Sequence, residues 1–94
     1  MDRTVLSEPE IRKRLSSLKR WTLKGTEITV TVEHKDFVHA MGFVNSVALL
    51  AEKLNHHPDI DIRWNKVTLA LTTHSAGGLT EKDFALAEQI NTLA

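Results

Sequence analysis

The sequence predicts a two-layer α+β sandwich, in which three helices cover one face of a four-stranded, largely antiparallel sheet. Two pairs of segments alternate apolar and polar residues, and a short turn joins the members of each pair, which is typical of β-hairpins. Amphipathic segments stand before, between and after these pairs and predict the helices. The chain therefore has the order helix, strand, strand, helix, strand, strand, helix, as a single domain over residues 1–94.

The first helix and the first hairpin occupy the residues up to position 33. Ser7 and Glu10 form a capping-box pattern, and apolar residues behind it recur at helical spacing, which predicts a helix over about residues 8–18. Two strands follow, joined by a turn that contains Gly25. The second strand alternates three apolar residues with threonines, so we expect the threonines on the face of the sheet that the helices leave uncovered.

The central helix begins after Asp36, its expected N-cap, and runs to about Leu54. It carries two neighbouring apolar stripes, the first with Phe37, Met41, Val44, Ala48 and Ala51, and the second with Phe43, Val47, Leu50 and Leu54. Two stripes are more than one sheet face needs. Either the helix lies nearly at the centre of a small core, which is the alternative that we expect, or part of its surface meets another subunit.

The second hairpin and the last helix follow a break in the chain. The central helix must end near Asn55, because His57 precedes Pro58 and the residue before a proline is pushed towards extended geometry. A flexible turn over residues 75–78 leads to the last helix, which also begins with a capping pattern. The apolar residues of the third strand are Ile60, Ile62 and Trp64, and those of the fourth are Val67, Leu69 and Leu71.

Composition excludes several classes of function. Twelve basic and twelve acidic side chains give a formal charge of zero, so neither nucleic acid nor a membrane surface is indicated as a partner. The absence of cysteine excludes thiol chemistry, and no nucleophile elbow or nucleotide-binding glycine loop is present. The N-terminus lacks the apolar core of a signal peptide, and the apolar stretches are too short to span a bilayer. We therefore expect a cytoplasmic protein, with an oligomer interface to supplement a modest core.

The stretch from Glu52 to Asp83 holds three of the five histidines, His56, His57 and His74. Histidine gives and takes protons near neutral pH, so three of them brought together would suit proton transfer. The first two leave a helix end and the third closes a strand, and loops at such ends are where functional sites gather. Glu52 lies one helical turn before His56, so its carboxylate could fix the tautomer of that ring if the helix persists that far.

Other interpretations of these residues compete with acid–base chemistry. A zinc site is the first, but the stretch contains neither a His-x-His nor a His-x-x-x-His pair, so we expect no metal. Taken singly, each histidine of the stretch could be structural, as a helix C-terminal cation, a turn residue or a strand-end hydrogen bonder. His34 and His39 are expected at the surface or beside a helix, and Asp83 in the first turn of the last helix. Trp21 and Trp64 alternate with apolar positions, so a place in the core competes with a functional role for both.

A spaced set of residues resembles the signature of a known family. With gaps of three, five, nine and eight residues, its members are Glu52, His56, His57, Pro58, Trp64, His74 and Asp83. The set resembles the pterin-4a-carbinolamine dehydratases, also known as dimerization cofactors of a homeodomain transcription factor. The likeness covers about residues 35–90 and, more loosely, Trp21. It implies a four-stranded antiparallel sheet with three helices on one face, which agrees with the pattern above.

The resemblance also implies an activity, that of a hydro-lyase without a cofactor. Its substrate would be a 4a-hydroxytetrahydropterin such as 4a-hydroxytetrahydrobiopterin, and loss of water would give quinonoid dihydropterin in tetrahydropterin recycling. By resemblance, His56 and His74 perform the acid–base work, in an order that the likeness does not decide, and His57 mainly binds and orients the pterin. The resemblance also implies that Glu52 supports the histidines and that Trp64 and Asp83 are structural. The pocket wall or the contacts to the substrate would come from Trp21, Pro58 and Thr73.

The sequence departs from the family pattern at a few positions and leaves a second function open. Asn55 stands where an Asp is expected, Lys82 where an Arg is expected, and the loop over residues 75–77 differs, so the charge and fine contacts of the pocket would change. The resemblance implies a homodimer or homotetramer. The alternative function is a non-catalytic dimerization or regulatory module that binds another protein through the same scaffold.

Overall fold

The computed structural model describes residues 4–93, and its elements follow the order that the sequence predicts. The N-terminal residues that bear on the signal-peptide expectation lie mostly outside this range. The elements are α1 (Glu8–Ser16), β1 (Thr22–Lys24), β2 (Glu27–Glu33), α2 (Phe37–Leu54), β3 (Asp59–Arg63), β4 (Lys66–Leu71), a short 3₁₀ helix (His74–Ala76) and α3 (Glu81–Asn91). The predicted α+β class is confirmed, although α1 ends earlier than its periodicity predicts.

The four strands form one sheet in the order β1-β2-β4-β3, and every neighbouring pair is antiparallel. The central strands are β2 and β4, whose apolar side chains are buried in one core with residues of the helices. The threonines alternate with them on the other face of the sheet, where the hydroxyls of Thr31 and Thr68 share a hydrogen bond of 2.9 Å. The predicted alternation is therefore confirmed at the centre of the sheet.

The edge strand β3 buries less than its alternation predicts, since none of its residues is buried and Ile60 is 39% exposed. Trp64 does not continue this strand. Its backbone has a φ of 52° in the tight turn between Arg63 and Lys66, which face each other across the hairpin, and its side chain is 68% exposed. The prediction that Trp64 alternates within the third strand is wrong, because the turn begins one residue earlier.

The helix α2 packs on the sheet with one side only. Asp36 caps it as predicted, because its carboxylate accepts a hydrogen bond of 2.9 Å from the backbone N–H of His39. Ala51 is the only buried member of the first apolar stripe, and Phe37 and Leu49 are exposed by 50% and 74%. The expectation that the helix lies at the centre of the core is therefore wrong, because a single helical layer leaves its outer side uncovered.

By length and composition alone, α2 is also the one helix within residues 4–93 that could cross a membrane. This corrects the expectation that every apolar stretch is too short. The inner side of the same helix contributes Phe43 and Val47 to the core on the sheet. Its apolar composition thus serves packing on that side.

Candidate active site

The three histidines of the predicted stretch meet at one cavity of about 330 Å³. The cavity lies where the end of α2, the segment after β4 and the first turn of α3 come together. Its lining is mainly polar and consists of Asn55, His56, His57, Thr72, Thr73, His74, Ser75 and Lys82. Sequence reasoning found the histidines and Thr73 but missed Thr72 and Ser75 as lining residues.

The chain reverses at Asn55, and this reversal sends the two adjacent histidines to different places. Asn55 has a φ of 52° and a ψ of 46°, a left-handed conformation that asparagine tolerates better than most residues. The backbone N–H of His56 then donates to the carbonyl of Ala51 at 3.0 Å, which closes the helix end. The Asn that departs from the family pattern therefore suits the backbone that it occupies.

His56 points inwards and is held by a carboxylate from another element. Its Nε2 lies 2.5 Å from Oδ1 of Asp83, and the side chains of the two residues are 10% and 0% exposed. The other oxygen of Asp83 accepts hydrogen bonds from the hydroxyl of Thr73 at 2.8 Å and from the backbone N–H of Thr80 at 2.9 Å. Asp83 thus completes the capping box of α3 and also binds a histidine of the cavity.

His57 points outwards and pairs with a residue of the preceding helix, α2. Its Nε2 lies 2.6 Å from Oε2 of Glu52, and both side chains are more than half exposed. The expectation that Glu52 fixes His56 at helical spacing is wrong, because α2 ends at Leu54 and the following reversal brings His57 over Glu52 instead.

His74 reaches the cavity from a loop that is more ordered than predicted. It is exposed and begins the short 3₁₀ helix that ends at Ala76. Thr73 and Gly78 flank this helix and pair as an isolated antiparallel bridge. Gly77 has a φ of 81°, a conformation that favours glycine. The predicted flexible turn over residues 75–78 is therefore a compact helical turn closed by backbone hydrogen bonds.

Three signature positions lie apart from the lining of the cavity. Trp21 is buried in the core, and its Nε1–H donates to Oδ1 of Asn91 in α3 at 2.8 Å. Pro58 follows His57 and is partly buried. Trp64 lies in the turn at the opposite end of β4 from His74. The histidines outside the stretch are also apart, since His39 pairs with Asp36 at 2.7 Å and His34 packs its ring 4.7 Å from that of Phe43.

The first turn of α3 carries charge beside the cavity. Lys82 lines the polar cavity and also a smaller apolar one of about 230 Å³, which Leu54, Glu81 and Ala85 complete. A salt bridge joins Glu81 to Arg14 of α1, and the hydrogen bond from that guanidinium to the carboxylate raises the pKa of Arg14. The helix that supplies Asp83 is thus tied to α1 as well as to α2.

The arrangement suits proton transfer. Histidines that line one polar cavity can donate and accept protons near neutral pH, and a buried carboxylate behind one of them can hold its ring in place. Within residues 4–93, no group of three or more His, Asp or Glu side chains is placed to hold a metal ion.

Comparison with known proteins gives one consistent match. The chain matches the family described as pterin 4 alpha carbinolamine dehydratase over residues 4–93. It is 59% identical over 88 residues to a candidate pterin-4-alpha-carbinolamine dehydratase from Roseiflexus sp., covering 94% of this chain and 95% of that protein. A second such candidate, from Acidobacterium capsulatum, is also 59% identical over 88 residues, covering 94% and 96% of the two proteins.

Two solved structures resemble the fold. The crystal structure of a transcriptional coactivator/pterin dehydratase from Brucella melitensis has a TM-score of 0.92 at 40% identity, covering 97% of this chain and 99% of that one. A pterin dehydratase-like protein, described as a RuBisCO assembly factor in the alpha-carboxysome, has a TM-score of 0.64 at 22% identity, covering 80% and 87% of the two chains. The second likeness shows the fold alone.

Proposed function

This chain belongs to the pterin-4-alpha-carbinolamine dehydratase family, and from that premise we propose that it removes water from a 4a-hydroxytetrahydropterin by histidine acid–base catalysis. The family membership makes it an enzyme of the hydro-lyase class. The product of the proposed reaction is a quinonoid dihydropterin, and a separate two-electron reduction by another enzyme would return it to the pool of tetrahydropterin cofactor used by aromatic amino acid hydroxylases. We also propose that the enzyme is cytoplasmic, and a chain without cysteine is compatible with that reducing compartment.

The proposed reaction moves two protons. The C4a–O bond breaks as an acid protonates the leaving hydroxyl, which departs as water, and a base takes the proton of N5 as the C4a=N5 double bond forms. One proton is given and one is taken, so the two groups regain their starting states by exchange with solvent. Nothing is oxidised or reduced, and the proposal therefore requires neither a redox cofactor nor a metal.

We assign the proton transfers to His56 and His74. The observation that carries this proposal is the pairing of His56 with buried Asp83 beside a polar cavity that His57 and His74 also line. His57, braced by Glu52 at the rim, is assigned to binding and orienting the pterin. Polar groups in such a cavity suit a pterin, because its ring system is rich in hydrogen-bond donors and acceptors.

Trp21, Pro58 and Thr73 are assigned to the shape of the site. Thr73 lines the cavity and binds Asp83, so it is the one proposed to contact the substrate. Trp21 would act through α3, because its hydrogen bond to Asn91 helps to fix the helix that carries Asp83. Pro58 would restrict the backbone beside His57.

The test is the dehydration of enzymatically generated 4a-hydroxytetrahydropterin by the purified protein, beside the variants His56→Ala and His74→Ala. We expect acceleration by the parent protein and a loss of about 10²–10⁴-fold in kcat/KM for each variant, less whatever the remaining histidine and spontaneous dehydration supply. The matched control is His39→Ala, since His39 is exposed and pairs with Asp36 at the far end of α2. A folded parent protein that leaves the spontaneous rate unchanged would overturn the proposal.

We also propose that the protein is a homo-oligomer. The observation behind this is the exposed apolar side of α2, where Phe37, Val38 and Leu49 are 50–75% exposed, together with the unpaired edge of β3. Large apolar side chains exposed along one helix are typical of an interface. Sedimentation should show a dimer or tetramer at micromolar concentration, and Leu49→Asp should shift it towards monomer. A parent protein that sediments only as a monomer would contradict this.

The same exposed side of α2 favours a second candidate function, the binding of another protein. The similar Brucella melitensis structure is described as a transcriptional coactivator as well as a pterin dehydratase. Two variants distinguish the two functions. Loss of partner binding in Leu49→Asp but not in His56→Ala would identify a binding module. Loss of dehydration with His56→Ala identifies the enzyme.

A further inference from the structure

We propose that Asp83 is a positioning residue of the active site, which holds His56 in one tautomer and one orientation with Nδ1 presented to the cavity. The catalytic role of Asp83 in this inference rests on the proposed function. Its geometry stands independently, in the four hydrogen bonds that join Asp83, His56, Thr73 and Thr80.

The hydrogen bonds of Asp83 favour one position for the hydrogen in its contact with His56. Oδ2 accepts from the hydroxyl of Thr73 and from the backbone N–H of Thr80, so this oxygen is an acceptor in both bonds. The hydroxyl of Thr73 donates its only hydrogen to Asp83. In the 2.8 Å contact between Thr73 and Thr80, the hydroxyl of Thr80 is therefore the donor. Two donors on Oδ2 favour the ionised form of the carboxyl group, so in the proposed arrangement Nε2 of His56 carries the hydrogen that lies between it and Oδ1.

The remaining ring nitrogen of His56 is then the one available for chemistry. With Nε2–H committed to Asp83, a neutral His56 has its lone pair on Nδ1, and His56 lines the cavity. Asp83 also provides a negative charge beside the ring whenever His56 is protonated, so a buried imidazolium would not be left unpaired. Both consequences serve a residue that must change protonation state in each turnover.

The position of Asp83 also connects three elements. It is in the first turn of α3, His56 follows the end of α2, and Thr73 follows the end of β4. The carboxylate therefore fixes the relative positions of the segments that carry His56 and His74. A capping residue alone would need only the hydrogen bond from Thr80, so the contact with His56 is additional to the cap.

The variant Asp83→Asn separates positioning from capping. Its carbonyl oxygen can still accept from Thr80 and Thr73, which keeps the cap, while its amide NH₂ faces His56. Nε2 of His56 must then accept, and the neutral ring moves its hydrogen to Nδ1, which is the wrong tautomer for a lone pair directed to the cavity. The matched control is Asp36→Asn, because Asp36 is also a helix-capping carboxylate bonded to a histidine ring, but at the opposite end of α2.

Two measurements test the proposal on the full chain. Long-range ¹H–¹⁵N NMR of the His56 ring in its neutral form should show Nε2–H in the parent protein and in Asp36→Asn, and Nδ1–H in Asp83→Asn. Steady-state kinetics should show kcat reduced about 10²–10³-fold in Asp83→Asn with KM within about threefold, and no change in Asp36→Asn.

The outcomes remain separable if one part fails. A parent spectrum with Nδ1–H overturns the proposal even if Asp83→Asn does not fold, and so does a folded Asp83→Asn with kcat within about twofold of the parent. A parent protein with Nε2–H and no dehydratase activity overturns the proposed function instead, and leaves Asp83 as the residue that fixes this tautomer.

Discussion

His56 and His57 are neighbours in the chain, yet they occupy opposite environments at the same cavity. The side chain of His56 is 10% exposed and pairs with a fully buried Asp83, 27 residues away. The side chain of His57 is 55% exposed and pairs with Glu52 of the preceding helix, α2. A pair removed from water interacts strongly and leaves a large penalty when one partner is lost, while an exposed pair is screened and contributes little. Adjacent histidines can therefore have unequal roles although their nearest partners are both carboxylates.

The largest expected effect tests this inequality in catalysis. His56→Ala should lower kcat about 10²–10⁴-fold, because it removes a proton-transfer group, whereas His57→Ala should lower kcat/KM about tenfold and mainly through KM, because it removes a binding contact. Steady-state kinetics with both variants, each checked for folding by circular dichroism, measures the difference. Equal losses in kcat for the two variants would contradict the division of roles.

A second test concerns stability, where the two carboxylates should differ. Asp83→Ala leaves the hydroxyl of Thr73, the N–H of Thr80 and the ring of His56 without their buried acceptor, and should lower the free energy of unfolding by about 2–4 kcal/mol. Glu52→Ala should change it by less than about 0.5 kcal/mol, because its carboxylate is 77% exposed. Urea unfolding of both variants gives the comparison, and similar losses would show that burial does not distinguish the pairs.

The backbone at Asn55 produces the divergence of the two histidines, and a third test addresses it. Asn55→Ala should lower the free energy of unfolding by about 1 kcal/mol, because alanine is strained in the left-handed conformation. Asn55→Gly should be neutral to within about 0.5 kcal/mol, because glycine adopts this conformation freely. A loss from glycine as large as that from alanine would mean that the asparagine side chain, and not its φ angle, matters at this position.

The sequence predicts the positions of the helices and strands, and the stretch in which three histidines gather, because both depend on local patterns. Alternation identifies β2 and β4, capping residues identify the helix starts, and Pro58 marks where α2 must end. The spacing of the family signature identifies three histidines within one stretch, and these three line one cavity in the structure.

What the sequence does not predict are contacts that depend on the fold as a whole. Helical spacing predicts a contact between Glu52 and His56. The left-handed backbone conformation of Asn55, which the sequence does not reveal, brings His57 to Glu52 instead. The pair Thr80 and Asp83 predicts a cap, but nothing local indicates that the same carboxylate reaches a histidine in another element. The exposure of one side of α2 likewise follows from how many layers the fold has, and an amphipathic pattern alone does not reveal that number.

A third pair of carboxylate and histidine, Asp36 with His39, extends the comparison to the smallest expected effect. The side chains of His39 and Asp36 are 57% and 45% exposed. The hydrogen bonds from the backbone N–H and the ring of His39 lower the pKa of Asp36 below its ordinary value of 3.8. A carboxyl group whose pKa is lower in the folded state contributes stability above the unfolded value, and this contribution disappears as the pH falls through the folded value. The melting temperature of the parent protein should therefore fall more than that of Asp36→Asn below about pH 4, with the two curves parallel at higher pH. Curves that stay parallel throughout would show that this exposed cap carries no pH-dependent stability, in contrast to the carboxylate that α3 buries against His56.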